Sequence, residues 1–267
     1  MAKGNVLITG GTMGIGFELA RLFAEDGYNL VIVARYQDEL QKAAAMLKKE
    51  FKTEVITIEK DLFEPNAAFE VYDETKNKGI EINILVNNAG QGEYGKFVET
   101  DLEKELGMIR LNIASVVILT KLFAKDMLEI GHGKILNLSS IASKSPGPWH
   151  SVYHGTKAFI QSFSEALHYE LKEGGIDVTA LLPGATDTDF FRKANMEASK
   201  IVQEEELADP ADVAKDGYEA LMAGKDMVVS GLKNKLQVSM GKLKSDAKSA
   251  KKMAKDQEPA DYEETEE

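Results

Sequence analysis

Short runs of β-branched and aliphatic residues alternate with longer helical patterns along most of this chain. Strands are predicted at residues 5–9, 29–34, 54–60, 82–88, 133–140, 177–183 and, as a candidate seventh, 226–231. Helical patterns lie between these strands. They cover residues 14–26, a stretch after the second strand that ends at Lys49, and residues 66–78, 101–129 and 154–173. Nearly continuous apolar strands joined by helices are typical of a parallel sheet that is buried on both faces. The sequence therefore predicts a doubly wound α/β fold in a single domain, residues 1–240.

Composition narrows the classes of function. The chain has 267 residues, and its 32 basic and 44 acidic side chains give a formal charge of -12. That charge argues against nucleic acid or an anionic membrane surface as the main partner. The lack of cysteine excludes disulfides and thiolate chemistry. No signal peptide is visible, and apolar runs such as "ASVVIL" (114–119) are too short to span a bilayer. We expect a soluble cytoplasmic protein.

The last residues differ in composition from the rest. Residues 241–255 hold six lysines and one acid, and residues 256–267 hold seven acids and no base. Low apolar content predicts a solvated helix that runs into a disordered acidic tail, outside the α/β domain. Such a tail is either a docking segment for a partner or a solubilising end, and composition favours the second.

A glycine-rich loop, "TGGTMGIG" (9–16), lies directly between the first strand and the first helix. Glycines at 10, 14 and 16 let the backbone turn tightly and approach a ligand closely. The start of the helix then offers free N–H groups and a partial positive charge to a pyrophosphate. The loop therefore predicts a dinucleotide site, and the lack of a lysine–serine/threonine pair argues against an ATP P-loop.

The end of the second strand indicates the type of dinucleotide. NAD enzymes often place an acid about 20 residues past the glycines, where it holds the ribose 2′-hydroxyl. Here that position reads Ala34 and Arg35. A guanidinium is always charged and matches a phosphate, so Arg35 is predicted to hold the 2′-phosphate of NADP, with NAD less favoured. The alternative is a solvated arginine at a strand end.

The stretch "YHGTK" (153–157) places Tyr153 and Lys157 on one face of a helix. Their ordinary pKa values are about 10 and about 10.4. A nearby ammonium favours the phenolate, so Lys157 is expected to lower the pKa of Tyr153 and make it a useful proton donor. Ser140, thirteen residues earlier at a strand end, is placed to bind a carbonyl oxygen. Asn112, a mediocre helix former inside a helical pattern, is a candidate to hold a water near Lys157.

Each of these residues alone has an ordinary explanation. Tyr-x-x-x-Lys pairs are mostly surface neighbours, a Ser-Ser pair is usually turn chemistry, and Asn112 alone would be helix surface. The combination behind a nucleotide loop is what favours a catalytic site. The four histidines, among them His154, are interpreted as bystanders, and no metal site is predicted because no His/Asp/Glu spacing suits one.

Together these motifs resemble the short-chain dehydrogenase/reductase family over roughly residues 4–231. The resemblance implies a Rossmann fold, binding of NADP(H), and the catalytic residues Asn112, Ser140, Tyr153 and Lys157, with Ser139 as a neighbour of the catalytic serine. It implies cofactor contacts from Thr9, Gly10, Thr12, Met13, Gly14, Ile15, Gly16, Arg35, Asp61, Leu62, Asn88, Ala89, Gly90, Tyr153, Lys157, Pro183, Gly184, Thr186 and Thr188. Met13 departs from the many NADP-preferring members that carry a base in the glycine loop.

The implied reaction is hydride transfer between NADP(H) and a carbonyl or secondary alcohol, with Tyr153 as general acid/base. A small-molecule substrate and a homodimer or homotetramer are the partners that this resemblance implies. The alternative is a non-catalytic NADP-binding regulator, against which the intact set of four catalytic residues argues. An α/β hydrolase is disfavoured because the chain has no G-x-S-x-G motif. A sugar epimerase or dehydratase would be expected to have a longer chain.

Substrate contacts are expected from "KSPGPWH" (144–150) and from the segment after Gly184. The second segment carries Phe190, Phe191 and Met196 before an acidic run at 204–206, and its length suits a lid. Together with Trp149 these residues indicate a partly hydrophobic substrate, with ordinary packing as an equal alternative.

Overall fold

The computed structural model describes residues 2–204, 206–241 and 245–260. Its centre is a seven-stranded parallel sheet with the strand order β3-β2-β1-β4-β5-β6-β7. The strands are β1 (Asn5–Thr9), β2 (Asn29–Ala34), β3 (Val55–Glu59), β4 (Ile84–Asn87), β5 (Gly133–Leu138), β6 (Ile176–Leu182) and β7 (Met227–Val229). The predicted fold class is confirmed, and each predicted strand is present: β1 and β2 have the predicted bounds, β6 is shifted by one residue, and the other four are shorter than predicted.

Helices cover both faces of the sheet. They are α1 (Gly14–Glu25), α2 (Gln37–Phe51), α3 (Ala67–Asn77), α4 (Leu102–Ile109), α5 (Ser115–Ile130), α6 (Ser151–Lys172), α7 (Phe190–Lys193), α8 (Lys200–Glu204), α9 (Pro210–Met222), α10 (Leu232–Gly241) and α11 (Asp246–Gln257). Alternate side chains of β1 point to opposite faces, so Ile8 packs in one core with Phe23 of α1, and Leu7 packs in the other with Phe123 of α5. Two apolar cores, one on each side of the sheet, therefore stabilise the fold.

The chain reverses its direction of travel across the sheet between β1 and β4. The connections from β1 lead to β2 and β3 on one side, whereas β4 to β7 extend the sheet on the other. Loops that leave the carboxyl ends of β1 and β4 diverge at this point and open a crevice. The predicted glycine loop and the residues after β4 both begin at this crevice, so topology alone brings them together.

One helical stretch is more apolar than the sequence reading allowed. Residues Leu102–Ile130, which comprise α4, a π-helical turn and α5, are long and apolar enough to cross a membrane by length and composition, with a mean hydropathy of 1.7. Half of that window is buried inside the protein. Leu119, Phe123 and Met127 on its inner face belong to the core against the sheet, and this packing accounts for the apolar character of the helix.

The carboxyl-terminal segment contains the helix that was expected before the acidic tail, but this helix contacts the domain instead of being fully solvated. The helix, α11, packs against the domain through a narrow face of small residues and Met253, and Pro259 forms an isolated bridge with Ser199. Lys200 forms an ion pair with Glu258. Average composition hid this face, because the lysines occupy the opposite side of the helix. The acidic residues 261–267 of the expected tail lie outside the described residues.

Candidate active site

A large cavity of about 1140 Å³ opens at the carboxyl ends of the central strands. The predicted residues that line it are Gly10, Thr12, Met13, Gly14, Ile15, Gly16, Arg35, Asp61, Leu62, Asn88, Ala89, Gly90, Ser140, Tyr153, Lys157, Pro183, Gly184, Thr186 and Thr188. Two predicted residues, Thr9 and Asn112, do not line the cavity but form hydrogen bonds with residues that do or with their neighbours. The structure thus brings the predicted cofactor and catalytic sets to one place.

The glycine loop has the geometry of a phosphate cradle. Gly10 and Gly14 have φ values of 66° and 55°, a conformation that favours glycine. A Cβ at Gly16 would collide with the carbonyl oxygen of Gly10 and the side chain of Asn88. At the start of α1, Met13 provides no side-chain cap and no acid occupies the first turn. The backbone N–H groups at this helix end are therefore directed at the cavity and suit a pyrophosphate.

Thr9 and Asn88 hold the glycine loop in place. The side-chain amide of Asn88 donates to the carbonyl oxygens of Thr9 and Gly10, both at 2.9 Å. In return, the Thr9 hydroxyl accepts from the backbone N–H groups of Asn88 and Ala89, both at 3.0 Å. Thr9 therefore connects the ends of β1 and β4 rather than facing the cavity.

Arg35 stands at the far end of the cavity, where β2 ends. Its guanidinium lies 5.3 Å from the ring centroids of both Tyr36 and Phe63. Those two rings, which the sequence reading did not single out, hold the face of the guanidinium and leave its N–H edge for an anion. Asp61 accepts from the backbone N–H of Phe63 at 3.0 Å and so shapes the same loop. These residues fit the adenosine 2′-phosphate end of NADP.

Tyr153 and Lys157 lie one turn apart near the start of α6. Lys157 Nζ donates to the carbonyl oxygen of Leu138 at 2.9 Å and lies 5.6 Å from the centroid of the Tyr153 ring. Ser140 follows β5. Its hydroxyl accepts from the backbone N–H of Ala142 at 3.1 Å, donates to the carbonyl oxygen of Pro183 at 3.3 Å, and lies near enough to the Tyr153 phenol to lower its pKa. The phenol and the serine hydroxyl therefore converge on one point in the cavity, with the ammonium behind them.

Asn112 lies in the π-helical turn (Arg110–Ala114) that links α4 and α5. Its side chain donates to the carbonyl oxygen of Gln91 at 2.8 Å and to the Thr156 hydroxyl at 3.1 Å, and it accepts from the Gln91 N–H at 3.0 Å. The π-helical turn, a feature that often marks functional sites, places this side chain toward α6. Asn112 thereby ties the segment after β4 to the helix that carries Tyr153.

Burial sets the protonation of the central pair in a way that the sequence reading did not anticipate. Because burial disfavours the charged form of each group, it raises the pKa of Tyr153 and lowers the pKa of Lys157 to about 8. The interaction with Ser140 lowers the pKa of Tyr153, but this effect is smaller than the increase that burial causes. The expected lowering of the Tyr153 pKa by Lys157 is not found, since Nζ bonds to Leu138 and lies 5.6 Å from the centroid of the ring. At neutral pH the phenol is protonated and the amine charged.

Two histidines interpreted as bystanders are buried in the wall of the cavity. The His150 ring stacks on the Tyr153 ring, with centroids 4.3 Å apart and planes inclined by 10°, and burial lowers the pKa of His150 to about 3. Nδ1 of His154 lies 2.8 Å from the carbonyl oxygen of Ser145. The adjacency of His154 to Tyr153 in "YHGTK" was the one signal in the sequence for its position. Nothing in the sequence indicated the stacking of His150.

The part of the cavity beside Tyr153 forms a chamber with one apolar wall. Phe190 lies 5.2 Å from the Tyr153 ring, and Phe191 and Met196 complete that wall, as expected for the segment after Gly184. Trp149, also expected to contact substrate, instead stacks on Tyr94 at 5.9 Å, outside the chamber. Its φ of 68° turns the chain so that the next residue, His150, enters the wall.

Comparison with known proteins agrees with this geometry. The family profile described as short chain dehydrogenase matches residues 4–199, so the chain belongs to the short-chain dehydrogenase family. The chain is 38% identical over 183 residues to a very-long-chain 3-oxoacyl-CoA reductase of Rattus norvegicus, an alignment that covers 66% of this chain and 57% of that protein. The chain thus spans less than two thirds of the length of this relative.

Solved structures of the family superpose over almost the whole chain. A short-chain dehydrogenase from Sphingobium yanoikuyae in complex with NADPH has a TM-score of 0.80 and 29% identity, covering 93% of this chain and 99% of that one. A bulky-bulky ketone specific alcohol dehydrogenase from Comamonas testosteroni has a TM-score of 0.77 and 29% identity, covering 91% and 94%. Binding of NADP(H) in the cavity is in keeping with the first of these neighbours.

Proposed function

We propose that this protein is an NADPH-dependent reductase of a bulky, largely apolar ketone or aldehyde, with Tyr153 as the proton donor. The observation that carries the proposal is the convergence of the Tyr153 and Ser140 hydroxyls between a dinucleotide cradle and a chamber with one apolar wall. When bound, NADPH supplies the hydride. The chain's own residues bind the carbonyl, orient it and deliver the proton.

The division of labour follows from the geometry. Ser140 donates a hydrogen bond to the carbonyl oxygen and fixes its position beside the phenol. Tyr153, neutral because it is buried, gives its proton to that oxygen as negative charge develops on it. Lys157, held by the carbonyl of Leu138, keeps a positive charge next to the phenolate that forms. Asn112 positions this helix through Thr156 and the backbone of Gln91.

A preference for NADPH over NADH belongs to the same proposal. Arg35 presents its guanidinium edge where the adenosine 2′-phosphate would lie, with its face held by Tyr36 and Phe63. Glu39 also lines this end of the cavity, but it accepts from the Thr12 hydroxyl at 3.3 Å. The cation therefore dominates recognition of the phosphate. The NADPH complex of the structural neighbour from Sphingobium supports this assignment.

The proposed substrate class rests on the size and lining of the chamber. Phe190, Phe191, Met196 and Ile201 line it with aromatic and aliphatic surface. Such a lining binds a large apolar group and leaves specificity to a few polar atoms. The names of two relatives, a very-long-chain 3-oxoacyl-CoA reductase and a bulky-bulky ketone specific alcohol dehydrogenase, support a large carbonyl substrate.

The test is NADPH oxidation against a panel of aliphatic and aromatic ketones and aldehydes, with NADH in parallel. We expect turnover by the wild type and a fall in kcat of about 100- to 10,000-fold for Tyr153→Phe, which keeps the ring and removes the proton. NADPH binding by the variant, measured by calorimetry, should stay within a factor of two to three of wild type.

Two outcomes would contradict the proposal. Turnover that survives in Tyr153→Phe would assign the proton transfer to another group. Tight NADPH binding without turnover of any carbonyl compound on the panel would favour the non-catalytic, regulatory alternative, for which nothing in the structure or the comparisons provides support.

A further inference from the structure

Helix α11 supplies one wall of the substrate chamber. Its residues Ser249, Met253 and Gln257, spaced four apart, line the cavity, whereas Lys251 on the other side is exposed. The Tyr94 hydroxyl donates to the backbone carbonyl of Gln257 and fixes the end of the helix. The carboxyl-terminal segment therefore belongs to the active site, although its composition suggested a tail.

His154 determines how the Gln257 side chain is oriented. The carbonyl of Ser145 can only accept, so Nδ1 of His154, 2.8 Å away, carries the proton. Burial lowers the pKa of His154 and keeps the ring neutral, so its Nε2 is an acceptor. The Gln257 Nε2, at 2.9 Å, must then be the donor to this nitrogen. The amide of Gln257 is thus fixed with its oxygen turned away from His154.

This orientation leaves an acceptor without a partner. Gln257 is 3% exposed, and its Oε1 is buried with no hydrogen-bond partner among the described residues. A buried acceptor without a donor is unfavourable, and native proteins rarely leave one unpaired. Gln257 lines the chamber and contacts His154, the residue next to Tyr153, so its side chain forms part of the wall that surrounds a ligand bound at Tyr153.

We propose that Gln257 is a specificity-determining residue, and that the substrate is a carbonyl compound which also carries a hydrogen-bond donor, a hydroxyl or an N–H group, that Gln257 Oε1 accepts. This inference rests on the proposed function, since it adds a second recognition point to the same chamber. A site that provides an acceptor for a substrate donor discriminates strongly against an analogue without it, because the acceptor is then left unpaired.

The test is binding of matched aryl ketones to the NADP⁺-loaded protein, a complex in which no hydride can be transferred to the ketone. The probes are the three hydroxyacetophenones, the corresponding methoxyacetophenones and acetophenone itself, titrated by calorimetry. We expect at least one hydroxy isomer to bind about 10- to 100-fold more tightly than both its methoxy counterpart and acetophenone. The variant Gln257→Leu should reduce this advantage to less than threefold.

A second variant makes the orientation of the amide itself observable. In Gln257→Glu the carboxylate can only accept, so it favours a proton on His154 Nε2 and raises the pKa of that histidine. NMR titration should show His154 protonating at a higher pH in this variant than in the wild type, where burial lowers its pKa. Lys251→Ala, on the exposed side of α11, is the control and should match the wild type in both measurements.

The inference would be overturned if no hydroxy isomer gained more than twofold, or if Gln257→Leu kept the gain. It would also be overturned if His154 titrated identically in the wild type and Gln257→Glu. Failure of the proposed function is separable, because that function is judged by turnover and this inference by binding. Turnover without preferential binding of a hydroxy ketone would contradict only the role of Gln257. Preferential binding without turnover would contradict only the proposed reductase activity.

Discussion

At the residue scale, burial determines the protonation state of Tyr153 more than neighbouring charges do. The phenol is kept neutral by its surroundings, with His150 stacked on one side and Phe190 5.2 Å from its ring. The same surroundings lower the pKa of Lys157 to about 8. The two groups are therefore matched for reduction: one holds a proton at neutral pH, and the other holds a charge that favours its release.

The pKa of Lys157 predicts how reduction depends on pH. Below about pH 8 the ammonium is present and supports the phenolate. Above it the charge is lost, and kcat/KM for reduction should fall by up to about tenfold per pH unit. Burial lowers the pKa of His150 to about 3, so this histidine should add no inflection between pH 6 and 8. The measurement is kcat/KM from pH 5.5 to 10, and a profile that stays flat to pH 10 would contradict it.

Arg35 should determine the choice between the two nicotinamide cofactors. Arg35→Ala removes the cation that faces the 2′-phosphate, so Kd for NADPH should rise about 10- to 100-fold. Kd for NADH should change by less than threefold, because NADH has no phosphate at that position. Calorimetric titration with both nucleotides measures this, and Lys42→Ala, on the exposed side of α2, is the control. Equal losses for both cofactors would show that Arg35 is structural.

At the element scale, α6 carries Tyr153 and Lys157, and substitutions at two glycines test how the stability and packing of this helix affect the site. Gly155 lies on the exposed side of α6, and a Cβ there would meet no atom within 4 Å. Gly155→Ala should stabilise the helix by about 0.5–1 kcal/mol, since alanine loses less backbone entropy than glycine. Thermal unfolding should rise by about 1–4 °C with little change in activity. An unchanged or lower Tm would contradict this account of the helix.

Gly92, unlike Gly155, has no room for a side chain, because its loop packs against His150 and Phe190. A Cβ at this position would collide with Nε2 of His150 and approach Phe190 Cζ to 3.0 Å. Gly92→Ala should therefore displace His150 from the Tyr153 ring and lower kcat about tenfold or more, because misplacement of the reacting groups is costly. Its effect on NADPH binding should be small. Steady-state kinetics beside Gly155→Ala measures this, and normal kcat in Gly92→Ala would show that the stack is dispensable.

At the scale of the whole molecule, α4 and α6 leave apolar side chains in solvent. Leu106 is 38% exposed and Phe159 is 42% exposed. Covering this surface with a second copy would bury it, in line with the homodimer or homotetramer that the family resemblance implies. Light scattering of the purified protein should give at least twice the mass of 29.3 kDa, and the pair Leu106→Lys and Phe159→Lys should lower it. A monomer in the wild type would contradict the prediction.

The sequence alone determined the parallel sheet, the glycine loop after β1 and the placement of Tyr153 one turn before Lys157. These are local properties: strand and helix periodicity, the backbone freedom of glycine and the pitch of a helix act over a few neighbouring residues. They require no knowledge of distant parts of the chain.

Only the tertiary structure decided which residues that are distant in the sequence come together in the cavity. His150 reaches the Tyr153 ring because Trp149 adopts a positive φ, and Gln257 reaches His154 across more than a hundred residues because α11 folds back over the chamber. Burial, which raises the pKa of Tyr153 and lowers that of Lys157, is likewise a property of the assembled core. Contacts between distant segments and the loss of solvent around a charge arise only when the chain is packed, so no local pattern encodes them.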